Sequence, residues 1–210
     1  MSSLNEIKSE LRFYMNGALA QSLRERGLRY RLIFGVELPR LKEIAARHTP
    51  DHDLAQALWK EDIRECRILA GYLQPVETFL PELADIWLEA MHDTEIIDYT
   101  CMNLFRRLPY AQTKAFQWIA LDDVLTQYAG FRLMCHLLRE HSTGQQDNGS
   151  TTQQVIARDL DELTDHAEAA QASDNSLLRQ IAHDVLAQLR HLRRKNGLPA
   201  QAQKISDQSY

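Results

Sequence analysis

Apolar residues recur with the helical period along nearly the whole chain, and no stretch alternates for long with the period of a strand. The clearest stripe is Ile97, Cys101, Leu104 and Leu108, spaced i, i+4, i+7 and i+11. It predicts a helix that opens near Thr94 and is ended by Pro109. Asp93 or Thr94 suits the cap, and Glu95 stands in the first turn, where negative charge is favoured. With roughly 100° between successive residues, Asp98 falls on the flank of the stripe, beside Thr94 and Phe105. One carboxylate is therefore expected at the border between core and surface.

The same period organises the rest. A first segment over residues 4–26 is broken near Gly17 and closed by Gly27 as a C-cap. Residues 29–36 form a connector, and Pro39 fits the first turn of a helix reaching about His48. A repetition follows, in which a helix ending near Trp59, Trp87 or Trp118 precedes a second helix carrying Cys66, Cys101 or Cys135. The tryptophans are 28 and then 31 residues apart. Two helices per unit at this period predict an α-solenoid, with the second helices side by side on one surface. Residues 142–152 are rich in Ser, Thr, Gly, Gln and Asn and read as a loop. Two further helices are expected over 152–172 and 175–195, the second capped within Asp174-Asn175-Ser176. The expectation is an all-α superhelix of about ten helices, one domain over residues 1–196, and a polar tail over 197–210.

Composition narrows the function classes. Apolar residues make up 44% and charged residues 25%, a globular balance. No run is long enough to span a membrane and the polar opening is not a secretory signal, which places the protein in the cytoplasm. The three cysteines sit at apolar helical positions without C-x-x-C spacing, so they read as buried thiols rather than zinc ligands or disulfides. The histidines show no metal spacing. A net charge of −5 does not favour nucleic acid on average, but leaves room for a local basic face. Arginine outnumbers lysine, and its forked donors suit phosphate.

Several of these segments together resemble the AlkD-like DNA alkylation repair family, built from HEAT-like helical repeats. The resemblance is carried by Leu58-Trp59, by Arg64-Glu65-x-Arg67-Ile68-Leu69-Ala70, and by Ile97-Asp98 through Cys101-Met102-Asn103-Leu104-Phe105. Lys114-Ala115-Phe116-Gln117-Trp118, Ala129-Gly130-Phe131 and the entry segment Gly35-Val36 with Leu41-x-x-Ile44-Ala45 add to it. It implies a HEAT-like solenoid that holds alkylated duplex DNA in a concave groove as a monomer, without metal or cofactor. It also implies excision of N3- and N7-alkylated purines. Such a base is cationic and already a good leaving group. A fixed carboxylate beside the sugar then stabilises the positive charge that develops there. Asp98 falls at the family's catalytic aspartate. Thr94 stands where the family commonly has a tryptophan one turn earlier. Tyr128 stands where an arginine is often found, with Arg132 one turn later as a substitute. His183 lies near a further tryptophan position. Arg64, Arg67, Arg106, Arg132, Arg139, Arg179, Arg190 and Arg194 are the candidate phosphate contacts.

Each assignment has a plain structural alternative. Asp98 also reads as a helix-flank acid paired with Arg64 or Arg67. The three tryptophans read as packing residues of the repeat. Arg64, Glu65 and Arg67 also read as an internal ion-pair network. The basic run Arg190 to Lys195 also complements a helix C-terminus. Two functions follow: a DNA alkylation repair protein with Asp98 at the deoxyribose, or a catalytically silent HEAT-like module that binds damaged DNA or a protein.

Overall fold

The computed structural model describes residues 3–143 and 157–195. Among them there are eleven α-helices and no strand beyond a single parallel bridge between Leu32 and Ile63. The residues of the array group into two compact units, Met1–Ala111 and Gln112–Tyr210. The fold is an all-α array of HEAT-like helix pairs.

In the first unit, α1 (Leu4–Phe13) starts with a capping box in which the Ser3 side chain and the Glu6 carboxylate satisfy each other's backbone N–H groups. α2 (Gly17–Glu25) is capped by Asn16. The break expected near Gly17 is thus the short turn between these helices. Gly27, at φ +100°, closes α2. The connector then passes Gly35 at φ +73°, where an added Cβ would lie 2.1 Å from the Asn16 carbonyl oxygen. Only glycine lets the chain pass there. α3 (Leu38–Ala46) carries Pro39 in its first turn.

The pairs follow. α4 (His52–Lys60), capped by Asp51, leads to α5 (Arg64–Leu73). α6 (Pro81–Glu89) leads to α7 (Thr94–Asn103), capped by Asp93. Trp59 and Trp87 end the first helices of the two pairs and stack face to face, with centroids 4.0 Å apart and planes 3° apart. They are packing residues of the repeat. Cys66 and Cys101 are fully buried.

The stripe of α7 is buried as expected, Ile97, Cys101, Leu104 and Leu108 included. The helix is shorter than the stripe. It stops at Asn103, and Phe105–Arg107 form a 3-10 turn. The side chains of Arg106 and Arg107 donate to the Met102 and Asn103 carbonyls, satisfying oxygens that a longer helix would have paired with its own backbone. Pro109 has no N–H with which to extend the ladder. Phe105 consequently does not share the flank of Asp98; it is fully buried, 6.1 Å from Phe79.

The second unit contains α8 (Ala111–Ile119), α9 (Val124–Thr143), α10 (Ala157–Gln171) and α11 (Ser176–Lys195). α8 and α9 approach so closely at Gly130 that a Cβ there would meet the Ala115 carbonyl at 2.7 Å. Trp118 and Cys135 are buried here. Asn175 caps α11 through the N–H groups of Leu177 and Leu178. Most of the expected loop over 142–152, and the tail over 197–210, lie outside the described residues.

Candidate nucleic-acid interface

The start of α7 is fixed by side-chain bonds from two directions. Asp93 accepts from the Ile96 N–H at 2.9 Å and also from the Tyr30 hydroxyl at 2.9 Å. Burial, then the Asp93 carboxylate, holds that hydroxyl far above its usual titration range, so it remains a donor. Glu95, in the first turn, accepts a two-pronged bond from Arg64, 2.7 Å from Nε and 2.9 Å from Nη2. Thr94 carries no cap and lies half-buried between these two anchors.

One turn on, Asp98 is half-buried on the flank of α7. Its neighbour Tyr99 is also half-buried. Burial first, then Glu95, with a smaller contribution from Asp98, keeps the Tyr99 hydroxyl above its ordinary range. Tyr72 of α5 is close enough to contribute to the same shift. Thr94 and Asp98 thus share one half-exposed flank, one turn apart, on a helix whose start is tied down from two directions.

The arginines of α5 take the structural course. Arg64 is 4% exposed. Besides Glu95, its Nη1 donates to Glu65 at 3.2 Å and to the Val36 carbonyl at 3.4 Å. Burial opposes its charge, but the paired carboxylates outweigh burial and hold the guanidinium charged. Glu65, fully buried, accepts from the N–H groups of Phe34, Gly35 and Val36 at 3.0, 2.9 and 3.3 Å. Arg67 donates to the Ala90 carbonyl at 2.8 Å and lies 5.4 Å from the Trp59 ring and 5.7 Å from that of Tyr30. The candidate phosphate role of Arg64 is corrected here, because its donors face inward and are occupied by carboxylates and a carbonyl. Arg67 is half-buried and committed in the same way. Burial pushes the Cys66 thiol up to about 12, which keeps it protonated and unreactive.

In the second unit, Tyr128 is 7% exposed on α9, more a packing residue than a surface contact. Arg132 lies one turn later and is half-buried, and Arg139 is exposed. Arg179 donates to the Ser173 and Asp174 carbonyls at 2.9 and 2.8 Å. His183 is exposed, 3.7 Å from Asp184. Arg190 and Arg194 are exposed one turn apart on α11. Arg106, in the first unit, is half-buried over the end of α7.

Among the described residues, no group of three or more His, Cys, Asp and Glu side chains is arranged to hold a metal ion. No helix among them is long and apolar enough to cross a membrane. Sequence reasoning had the internal ion pair at Arg64 and Glu65 as one alternative, but missed Tyr30 and the three backbone N–H groups that Glu65 accepts from. The adjacent Arg and Glu that open α5 were the signal for the pair; nothing in the spacing marked its backbone donors.

The sequence profile of the DNA alkylation repair enzyme family matches residues 7–196. The chain belongs to that family. No curated protein matches it. Among solved structures, the chain is similar to one described as "a new family of proteins related to the HEAT-like repeat DNA glycosylases with affinity for branched DNA structures". The two are 16% identical, with 93% of this chain and 80% of the other covered and a TM-score of 0.78. At that identity the likeness establishes the fold.

Proposed function

We propose that this DNA alkylation repair family member binds duplex DNA along the flank of α7, with Asp98 set against a deoxyribose. The chemistry it would serve is hydrolysis of the N-glycosidic bond of N3- and N7-alkylated purines. One observation carries the reading. Asp98 is half-buried on a helix anchored by Asp93, Tyr30, Glu95 and Arg64, at the position that the resemblance gives to the catalytic aspartate. A short carboxylate on a rigid helix is preorganised for a cationic sugar, and such preorganisation is where electrostatic catalysis gains most. The cationic base needs no protonation to leave, so one carboxylate and one water suffice.

A second reading is favoured by Thr94, which offers no aromatic face to a cationic base or sugar. In it the same surface binds DNA without cutting. The solved relative's stated affinity for branched DNA belongs with this alternative. The deciding experiment measures release of 7-methylguanine and 3-methyladenine from methylated duplex, wild type against Asp98→Asn, alongside binding of both proteins to linear and branched DNA. Release by wild type that is lost in Asp98→Asn supports excision. Equal release by both excludes Asp98 as the catalytic group. Binding without release supports the second reading, and no binding to any DNA at low salt overturns both.

A further inference from the structure

The turn between α1 and α2 exposes two large apolar side chains, Phe13 at 81% and Met15 at 62%. Single exposed apolar residues are ordinary, but two at one tight turn are less so. The turn is built, not frayed. Tyr14 N–H donates to the Glu10 carbonyl at 3.2 Å, Met15 N–H to that of Arg12 at 3.4 Å, and Asn16 N–H to that of Phe34 at 2.9 Å. Tyr14 between them is held by the Arg40 guanidinium, 4.4 Å from its ring centroid, and meets the Phe13 ring edge-on at 4.9 Å.

Its surroundings say what would cover it. The Asn16–Phe34 bond joins the turn to the connector, Glu65 joins the connector to α5, and Arg64 joins α5 to the first turn of α7. The apolar tip is therefore rigidly linked to the helix that carries Asp98. At the other end of α2, about 13 Å away for a nine-residue helix, Arg24, Arg26 and Arg29 are all exposed. An apolar tip at one end of a short helix and three exposed arginines at the other suit a polyanion whose bases are accessible. In linear duplex the bases are stacked and closed. At the point of strand exchange in a branch the continuous stack is interrupted, so insertion of Phe or Met there costs less further unstacking than in a linear duplex.

We propose that Phe13 and Met15 form a wedge that stacks on the open bases at a DNA branch point, while the arginines beyond α2 meet the flanking phosphates. The inference rests on the DNA-binding reading above and adds the residues that would meet a branch. It is tested by comparing wild type, Phe13→Ala/Met15→Ala and Phe13→Trp. Fluorescence anisotropy would follow a four-way junction and a linear duplex of the same sequence, and 2-aminopurine at the branch would report stacking. The double variant should lose about tenfold or more in junction affinity, since base–aromatic stacking has that worth. It should keep its linear-duplex affinity and its circular dichroism. Phe13→Trp should retain both junction binding and the 2-aminopurine quench. A double variant that binds the junction as tightly as wild type overturns the wedge but leaves the functional proposal intact, as does a wild type without preference for the junction. A wild type that binds neither DNA overturns the functional proposal and the wedge with it.

Discussion

α5 and α7 hold the same place in successive helix pairs, yet they use polar residues in opposite ways. Eight of the ten residues of α5 are buried, Arg64 and Glu65 among them. Four of the ten residues of α7 are buried, and Thr94, Asp98 and Tyr99 stay half-open to solvent. In α5 a charge is kept only because an opposite charge or a backbone donor meets it. In α7 Glu95 is likewise met by Arg64, while Asp98 stands half-buried at the border of the core. Polar residues in a helical array therefore have to be sorted by their partners before any of them is assigned to a substrate. α5 is packed into the scaffold, and α7 leaves one flank half-open.

The sharpest way to break this contrast is at Glu65. Glu65→Ala leaves three backbone N–H groups and the Arg64 guanidinium short of a buried partner. The expected loss is about 3–5 kcal/mol, the cost of removing one member of a buried pair, read from urea or thermal unfolding. A loss below about 1 kcal/mol would mean that α5 and α7 do not differ as described. Asp98→Asn should shift stability by less than about 1 kcal/mol. If the protein excises alkylpurines, the same change should lower the single-turnover rate about 100-fold or more.

Thr94→Trp sharpens the α7 side. It returns an aromatic face one turn from Asp98, and cation–π contact with a desolvated cation is worth about 2 kcal/mol. Excision should rise about tenfold or somewhat more. Because Asp93 supplies the cap, the variant should unfold at nearly the wild-type temperature. A folded variant that binds methylated DNA and excises no faster would show that position 94 does not limit excision. On α11, Arg190→Ala should flatten the salt dependence of DNA binding by about one unit of log–log slope if that arginine meets a phosphate.

The smallest effect belongs to a surface control for the buried ions of α5. Burial alone would raise the carboxyl of Glu10, but bonds from Arg47 and His48 outweigh it and hold the carboxyl below the ordinary glutamate range. A carboxylate depressed in the folded state contributes stability above its unfolded pKa and loses it as the pH falls through the folded one. Glu10→Gln should therefore cost well under 1 kcal/mol at neutral pH and nothing in strong acid. A cost that persists below pH 3 would point to packing rather than charge.

The helical period exposed the architecture. Both broken and continuous helices, the tryptophan-marked pairs and the buried cysteines follow from the spacing of apolar residues and from Gly, Pro and cap residues. The end of α7 was not legible, because the stripe continues through Leu104 and Leu108 while the backbone tightens into a 3-10 turn. That change depends on Arg106 and Arg107 reaching back to two carbonyls, which spacing does not reveal. The border position of Asp98 was legible from its angle to the stripe. Whether Arg64 faced a phosphate or Glu95 was not, since the pair is separated by 31 residues and set by how two helices meet.

The division of labour at the start of α7 has an evolutionary consequence. Asp93 closes the helix, Tyr30 and Arg64 hold it, and position 94 carries none of that duty. Exchanges there pass through sequence space almost without regard to folding, since substitutions away from caps and cores usually change stability by no more than about 0.5 kcal/mol. A lineage can then trade an aromatic residue for threonine, or regain it, in a single viable step. If position 94 tunes excision, as proposed above, activity there changes without a matching change in the fold.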